Sequence, residues 1–173
     1  MSDLKDILGQ VARVMHWSET ANAYAARHGI DAAPHLTVVD DEIAAAVAEI
    51  LESRIRGKVV VDVGGGIGLL GLHVAASARR VFVVEANPVW AASWIDLFHE
   101  RKPKNLSYLF GAASEFIDYI EADVAIVATH SDVRAMMATA SQFAPVAIDI
   151  YGELIAENPK GFDEWARRAR ENS

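Results

Sequence analysis

The chain has 173 residues, 52% of them hydrophobic and 23% charged, with a formal net charge of −8. That length suits one domain with a complete core and is short for two. The absence of cysteine excludes disulfides, a thiol nucleophile and a thiolate zinc site, and no stretch reaches the about 18 uninterrupted apolar residues of a membrane span.

His16, His28, His35, His73, His99 and His130 show no i,i+4 pair, so no metal is expected. The start "MSDLKDILGQ" lacks the basic opening and apolar stretch of a signal peptide, and a cytoplasmic location is the expectation. The acidic balance weighs against a nucleic-acid partner, because such a surface repels a phosphate backbone. Two local basic groups, Arg54-Arg56-Lys58 and Arg101-Lys102-Lys104, run against this and read as solvated helix ends.

In chain order, Asp3 to His28 carries Leu4, Ile7, Leu8, Val11, Val14 and Met15 at a helical period, with Gly29 as a stop. A second helix begins near Asp40, places Ile43, Val47, Ile50, Leu51 and Ile55 on one face, and ends at Gly57. From Lys58 the pattern changes. Short apolar runs at Val59–Val63, Val81–Glu85, Leu106–Phe110, Val124–Ala128 and Val146–Ile150 alternate with helical stretches, one capped by Asn87 before Pro88 and one opened by Ser131. This predicts an α/β fold: a doubly wound, mainly parallel sheet of five strands behind an N-terminal helical prefix, as a single domain. The prefix is 1–57, the core 58–150, and 151–173 a C-terminal helical segment with Phe162, Trp165 and Ala169 as its apolar face.

Gly64, Gly65, Gly66 and Gly68 follow the first strand and open a helix, so bare backbone can approach a ligand there. Glu85 ends the next strand, where a carboxylate can accept both hydroxyls of a ribose. The alternative is a tight turn with an incidental acid. Asp62, inside a buried strand end, needs a partner; a carboxylate that caps loop N–H groups is one answer.

The stretch resembles two families. The FAD-binding oxidoreductases have a fingerprint like "VVVGGGIGG" followed by "VLEAN", but in that frame Leu69 stands where the third glycine belongs, and Gly66-Ile67-Gly68-Leu69-Leu70-Gly71 fits G-x-G-x-x-G two residues late. Only 88 residues follow Glu85, where that family needs a long substrate domain. The class I S-adenosylmethionine-dependent methyltransferases match better. Their first motif is similar to Asp62-Val63-Gly64-Gly65-Gly66-Ile67-Gly68. The resemblance implies S-adenosylmethionine as cofactor, Asp62 near its methionine ammonium, Gly64, Gly66 and Gly68 beneath the sulfonium, Glu85 on the ribose, and Ala86 and Asn87 beside the adenine. "LFGAASEFI" (Leu109 to Ile117) is similar to the family's motif after the third strand, with Ala112 where an aspartate usually binds the adenine amino group. The backbone of Ala112 or Ala113, or Ser114, would substitute.

Methyl transfer needs donor and acceptor held together, and a base only if the acceptor must lose a proton. After the fourth strand "ATHSD" departs from the Asn/Asp-Pro-Pro-Tyr-like motif of enzymes acting on base amino groups. By topology the mouth holds Thr129, His130, Ser131 and Asp132, with Tyr151 and Glu153 after the fifth strand. His130 is the candidate catalytic base, and the acids favour a cationic or amine acceptor. Trp17, Tyr24 and His35 of the prefix would form a lid or simply core. The reading is a methyltransferase acting on a small molecule or a protein side chain; the alternatives are a non-catalytic S-adenosylmethionine-binding module or partner subunit, transfer of another part of the cofactor, and, third, a flavin enzyme. With strand order 3-2-1-4-5 the fifth strand is an edge, and the hairpin that commonly covers it in the family is missing from this sequence; either the last helix, with Phe162 and Trp165, covers it or a homodimer or partner does, and a homodimer is the expectation.

Overall fold

A computed structural model describes residues 41–129 and 132–155. The first predicted helix, Trp17, Tyr24, His35, His130, Ser131 and the helical segment with Phe162 and Trp165 lie outside the described residues.

Helix α1 (Asp41–Ile55) leads into β1 (Val59–Val63), followed by α2 (Leu69–Val74), β2 (Arg80–Glu85), α3 (Pro88–Leu97) and β3 (Leu106–Phe110). A 3₁₀ turn (Ala113–Phe116), β4 (Val124–Val127), α4 (Val133–Phe143), β5 (Val146–Asp149) and a π-helical turn (Ile150–Ile155) complete it. The sheet order is β3-β2-β1-β4-β5, and all four pairings are parallel. The expected fold therefore holds, down to strand order.

Alternate strand residues serve two separate cores, as the period of two requires. Val60, Val81, Val83, Leu106, Val124 and Ile126 point to one face and pack with α1, α2 and α3 through Leu51, Ile55, Leu72 and Trp94. Val61, Val63, Val84, Ala125 and Val127 point to the other, where Ala140 and Phe143 of α4 join Ile120 and Ala122. Burying both faces leaves the open ends of the strands as the place for polar chemistry. The C-terminal end is the ligand edge of such sheets.

Boundaries differ from the sequence reading by a residue or two, as hydrogen bonding decides them. Ala128 and Ile150 fall outside β4 and β5, with Ile150 opening the π-helical turn, and Arg80 joins β2. Helix α4 starts at Val133, with Asp132 as its N-cap residue. At the sheet edge Val146 is 45% exposed, whereas Ile148 is buried.

Candidate functional site

The glycine loop owes its path to three residues at alternate positions. Gly64, Gly66 and Gly68 have φ of 73°, 57° and 81°, a region where an L side chain costs about 1–2 kcal/mol. Two of them also lack space: a Cβ on Gly64 would lie 2.6 Å from Met136 Cε, and one on Gly68 2.9 Å from Trp94 Cζ3. The loop thus lies flat against α4 on one side and the α3 aromatics on the other. The Gly64 N–H donates to Val84 O at 2.8 Å, extending the β1–β2 ladder, and the Gly68 N–H closes the turn on Gly65 O at 2.8 Å.

Glu85, 9% exposed, is the hub of the site. Its Oε2 accepts the Gly66 N–H at 2.8 Å and its Oε1 the Asn87 N–H at 2.6 Å. Its backbone carbonyl accepts the Gly111 N–H at 2.9 Å, so one residue ties together the loops that follow β1, β2 and β3. Ala86 is exposed and Asn87 half-buried beyond it.

In the next peptide group of the loop, the Tyr108 hydroxyl donates to Gly66 O at 2.6 Å. The Tyr108 ring stacks on Trp94, with centroids 4.7 Å apart and planes 14° from parallel. Burial, then the charges of Glu85 and Asp62, push the Tyr108 phenol well above its ordinary range, so it stays protonated and donates. Sequence reasoning did not single out Tyr108. The available signal was alternation: in Leu106-Ser107-Tyr108 the tyrosine shares the inward face of Leu106, and a buried phenol needs a partner.

Strand register sets Asp62, Val83 and Tyr108 in one row across β1, β2 and β3. Asp62 is 1% exposed, and neither carboxyl oxygen has a hydrogen-bond partner. It therefore does not cap the loop N–H groups. A Cβ on Gly65 would lie 2.7 Å from its Oδ2, which places the carboxyl directly under the loop. Burial, followed by the charge of Glu85, pushes its pKa from 3.8 up to about 7. The Gly71 N–H opposes the shift without completing a hydrogen bond.

After β3, Ala112 is exposed and its N–H donates to Glu115 Oε2 at 3.0 Å, with Ala113 half-buried and Ser114 exposed beside it. After β4, Thr129 is half-buried, and Asp132 is exposed with φ of 50°. After β5, Asp149 Oδ1 accepts the N–H groups of Tyr151 at 3.1 Å and Gly152 at 3.0 Å. Burial raises the half-buried Tyr151 phenol above its ordinary value. The predicted cofactor residues thus gather on one edge, from the ends of β1, β2, β3 and β4. Among the described residues no group of three or more His, Asp or Glu could hold a metal ion, and no helix is long and apolar enough to cross a membrane.

No protein-family profile matches the chain. Solved structures do resemble it. Precorrin-6y C5,15-methyltransferase from Geobacter metallireducens superposes with a TM-score of 0.54 at 14% identity, over 80% of this chain and 77% of that one. M. jannaschii TYW2 in complex with AdoMet gives 0.51 at 17% identity, over 63% and 50%. M. jannaschii tRNA m1G37 methyltransferase gives 0.51 at 13% identity, over 73% and 42%. The chain spans half or less of the latter two proteins. Because this fold also serves a tRNA methyltransferase, the expectation that nucleic acid is not a partner is unsupported: net charge averages over the surface and says nothing of one patch. The described chain has the fold of the class I S-adenosylmethionine-dependent methyltransferases.

Proposed function

We propose that this chain is an S-adenosylmethionine-dependent methyltransferase that holds the cofactor across the Gly64–Gly68 loop. The observation that carries the reading is Glu85, an acid at the end of β2 whose two oxygens are each fixed by one loop N–H at the ligand edge of the sheet. Each oxygen retains a further lone pair for a ribose hydroxyl. When bound, the cofactor supplies an electrophilic methyl group on a sulfonium. Glu85 would hold the ribose, Ala86 and Asn87 would flank the adenine, and Ala113 and Ser114 would meet its edge. Asp62, closed beneath the loop, would favour the cationic cofactor through its charge rather than by contact above about pH 7, where it ionises.

The acceptor would enter between the segments after β4 and β5, with His130 as the base where one is needed. Asp132 and Asp149 favour an amine or otherwise cationic acceptor on a small molecule or protein. A second reading, a non-catalytic cofactor-binding subunit, draws on Asp149 and Tyr151: the first is engaged by its own backbone and the second is held protonated by burial. Purified full-length chain with labelled cofactor and fractionated extract separates them. Labelled product supports the enzyme; cofactor binding without product supports the subunit; a purified protein with flavin absorbance overturns both.

A further inference from the structure

Parallel strands gather their N-terminal ends on the edge opposite the glycine loop, about 16 Å away for a five-residue strand. Most cations of the described residues collect there. Arg54, Arg56 and Lys58 lie on the approach to β1, and Arg79 and Arg80 at the start of β2. Arg101, Lys102 and Lys104 precede β3. Of the nine lysines and arginines among the described residues, only Arg134 is elsewhere, on α4.

Backbone hydrogen bonds make these segments neighbours. The Arg79 N–H donates to Lys58 O at 2.8 Å, and the Val81 N–H to Asn105 O at 2.8 Å. Since β3, β2 and β1 are adjacent, the cations form a stripe along three strand starts. The acids on this edge are Glu52, Asp96, Glu100, Glu121 and Asp123. Glu52 bonds Arg56, and Asp123 Oδ2 accepts the Val59 N–H at 2.7 Å and lies 4.0 Å from Arg79. The opposite edge carries Asp62, Glu85, Asp132 and Asp149, so the charge has a direction although the whole chain is acidic.

Helix C-termini attract cations, but that calls for about one per helix end, and three ends here carry eight. The end of α4, at Phe143, carries none. Several of the eight are built in: Arg80 donates to Ser107 Oγ at 2.8 Å while lying over the Phe82 ring, and Lys102 Nζ donates to Leu106 O at 2.8 Å. The side chains of Lys58, Arg101 and Lys104 make no hydrogen bond or ion pair among the described residues, and Arg101 and Lys104 are exposed. A protein partner would need an apolar centre. The large exposed apolar side chains near this edge are Ile95 in the last turn of α3, Tyr119 on the approach to β4 and Val146 at the start of β5, and they stand on three separate elements. A row of cations without an apolar centre suits a phosphodiester backbone.

We propose that the N-terminal edge of β3, β2 and β1 binds the phosphate backbone of a nucleic acid. It faces away from the cofactor edge, so it tethers the protein and does not present the acceptor. The proposal does not rest on the cofactor reading.

The test is fluorescence anisotropy of a labelled oligouridylate RNA with the full chain across a salt series. Binding at low salt is expected, falling with salt at about 0.7 decades of Kd per decade of salt for each phosphate contact. The Lys58→Ala/Arg101→Ala/Lys104→Ala variant should bind about tenfold or more weaker and lower the slope by about 2, with its thermal midpoint unchanged. Arg134→Ala should bind as the parent does. Absence of binding at low salt, or a triple variant with parental affinity and slope, overturns the proposal. Equal competition by polyglutamate also overturns it, in favour of an acidic protein.

Discussion

Replacing Tyr108 with Phe removes one oxygen and leaves the ring on Trp94. What is lost is the 2.6 Å hydrogen bond to Gly66 O, and with it one of two restraints on a single residue, held through the two peptide groups that flank its Cα; the other is Glu85 Oε2 on the Gly66 N–H. A part-buried neutral hydrogen bond contributes about 0.5–1.5 kcal/mol, and an orphaned carbonyl that keeps some access to water lies in the same range. For a chain of this length that is a fall of roughly 1–6 °C in Tm. The effect on ligand should be separate, because Gly66 is the loop residue that meets Glu85. We expect S-adenosylhomocysteine affinity to fall about three- to tenfold, the equivalent of the same energy expressed in binding. Melting curves with and without S-adenosylhomocysteine, together with calorimetric Kd values, separate the two effects. A folded Tyr108→Phe variant with parental Kd would refute the claim that the hydroxyl sets the loop.

Three further substitutions and one hydrodynamic measurement follow from the same geometry. Glu85→Ala should weaken S-adenosylhomocysteine by about one to two decades in Kd, from the loss of a charge-assisted pair of roughly 1.5–3 kcal/mol, read by calorimetry. Gly68→Ala combines a left-handed φ of 81° with a contact to Trp94 at 2.9 Å, and should destabilise by roughly 2–4 kcal/mol in chemical denaturation. Asp62, with a folded pKa of about 7 against an ordinary 3.8, binds more protons folded than unfolded between these values. Stability from this group is therefore complete below about pH 4 and is lost as pH rises through about 7; Asp62→Asn should gain stability relative to the parent from pH 5 to pH 8, and a difference that does not vary with pH would refute the buried neutral carboxyl. The exposed Val146 edge of β5 predicts self-association, and a monomer by light scattering across micromolar concentrations would remove it.

Much of the architecture is legible in the residues because the apolar runs are short, β-branched and separated by helical stretches. "VVVDV" and "VAIV" are continuous because β1 and β4 are buried on both faces. Glu85 stands out for the same reason: a charge closing an apolar strand has nowhere to go but the strand end. Tyr108 does not stand out, because within "LSYLF" it is one more strand former and its partner, Gly66 O, is 42 residues away. The state of Asp62 was equally hidden, since capping and isolation are written with the same residue and differ only in where the loop N–H groups point. The basic edge needs topology. Two of its groups are visible as local clusters, but Arg79 and Arg80 join them only once β2 is known to lie between β1 and β3.

The most direct test of the cofactor site is calorimetric titration of S-adenosylhomocysteine into the full-length chain, repeated on a folded Glu85→Ala variant. Saturable binding at one site per chain, lost or weakened by at least tenfold in the variant, is the predicted result. Absence of binding to the parent, or equal affinity in parent and variant, would contradict the account.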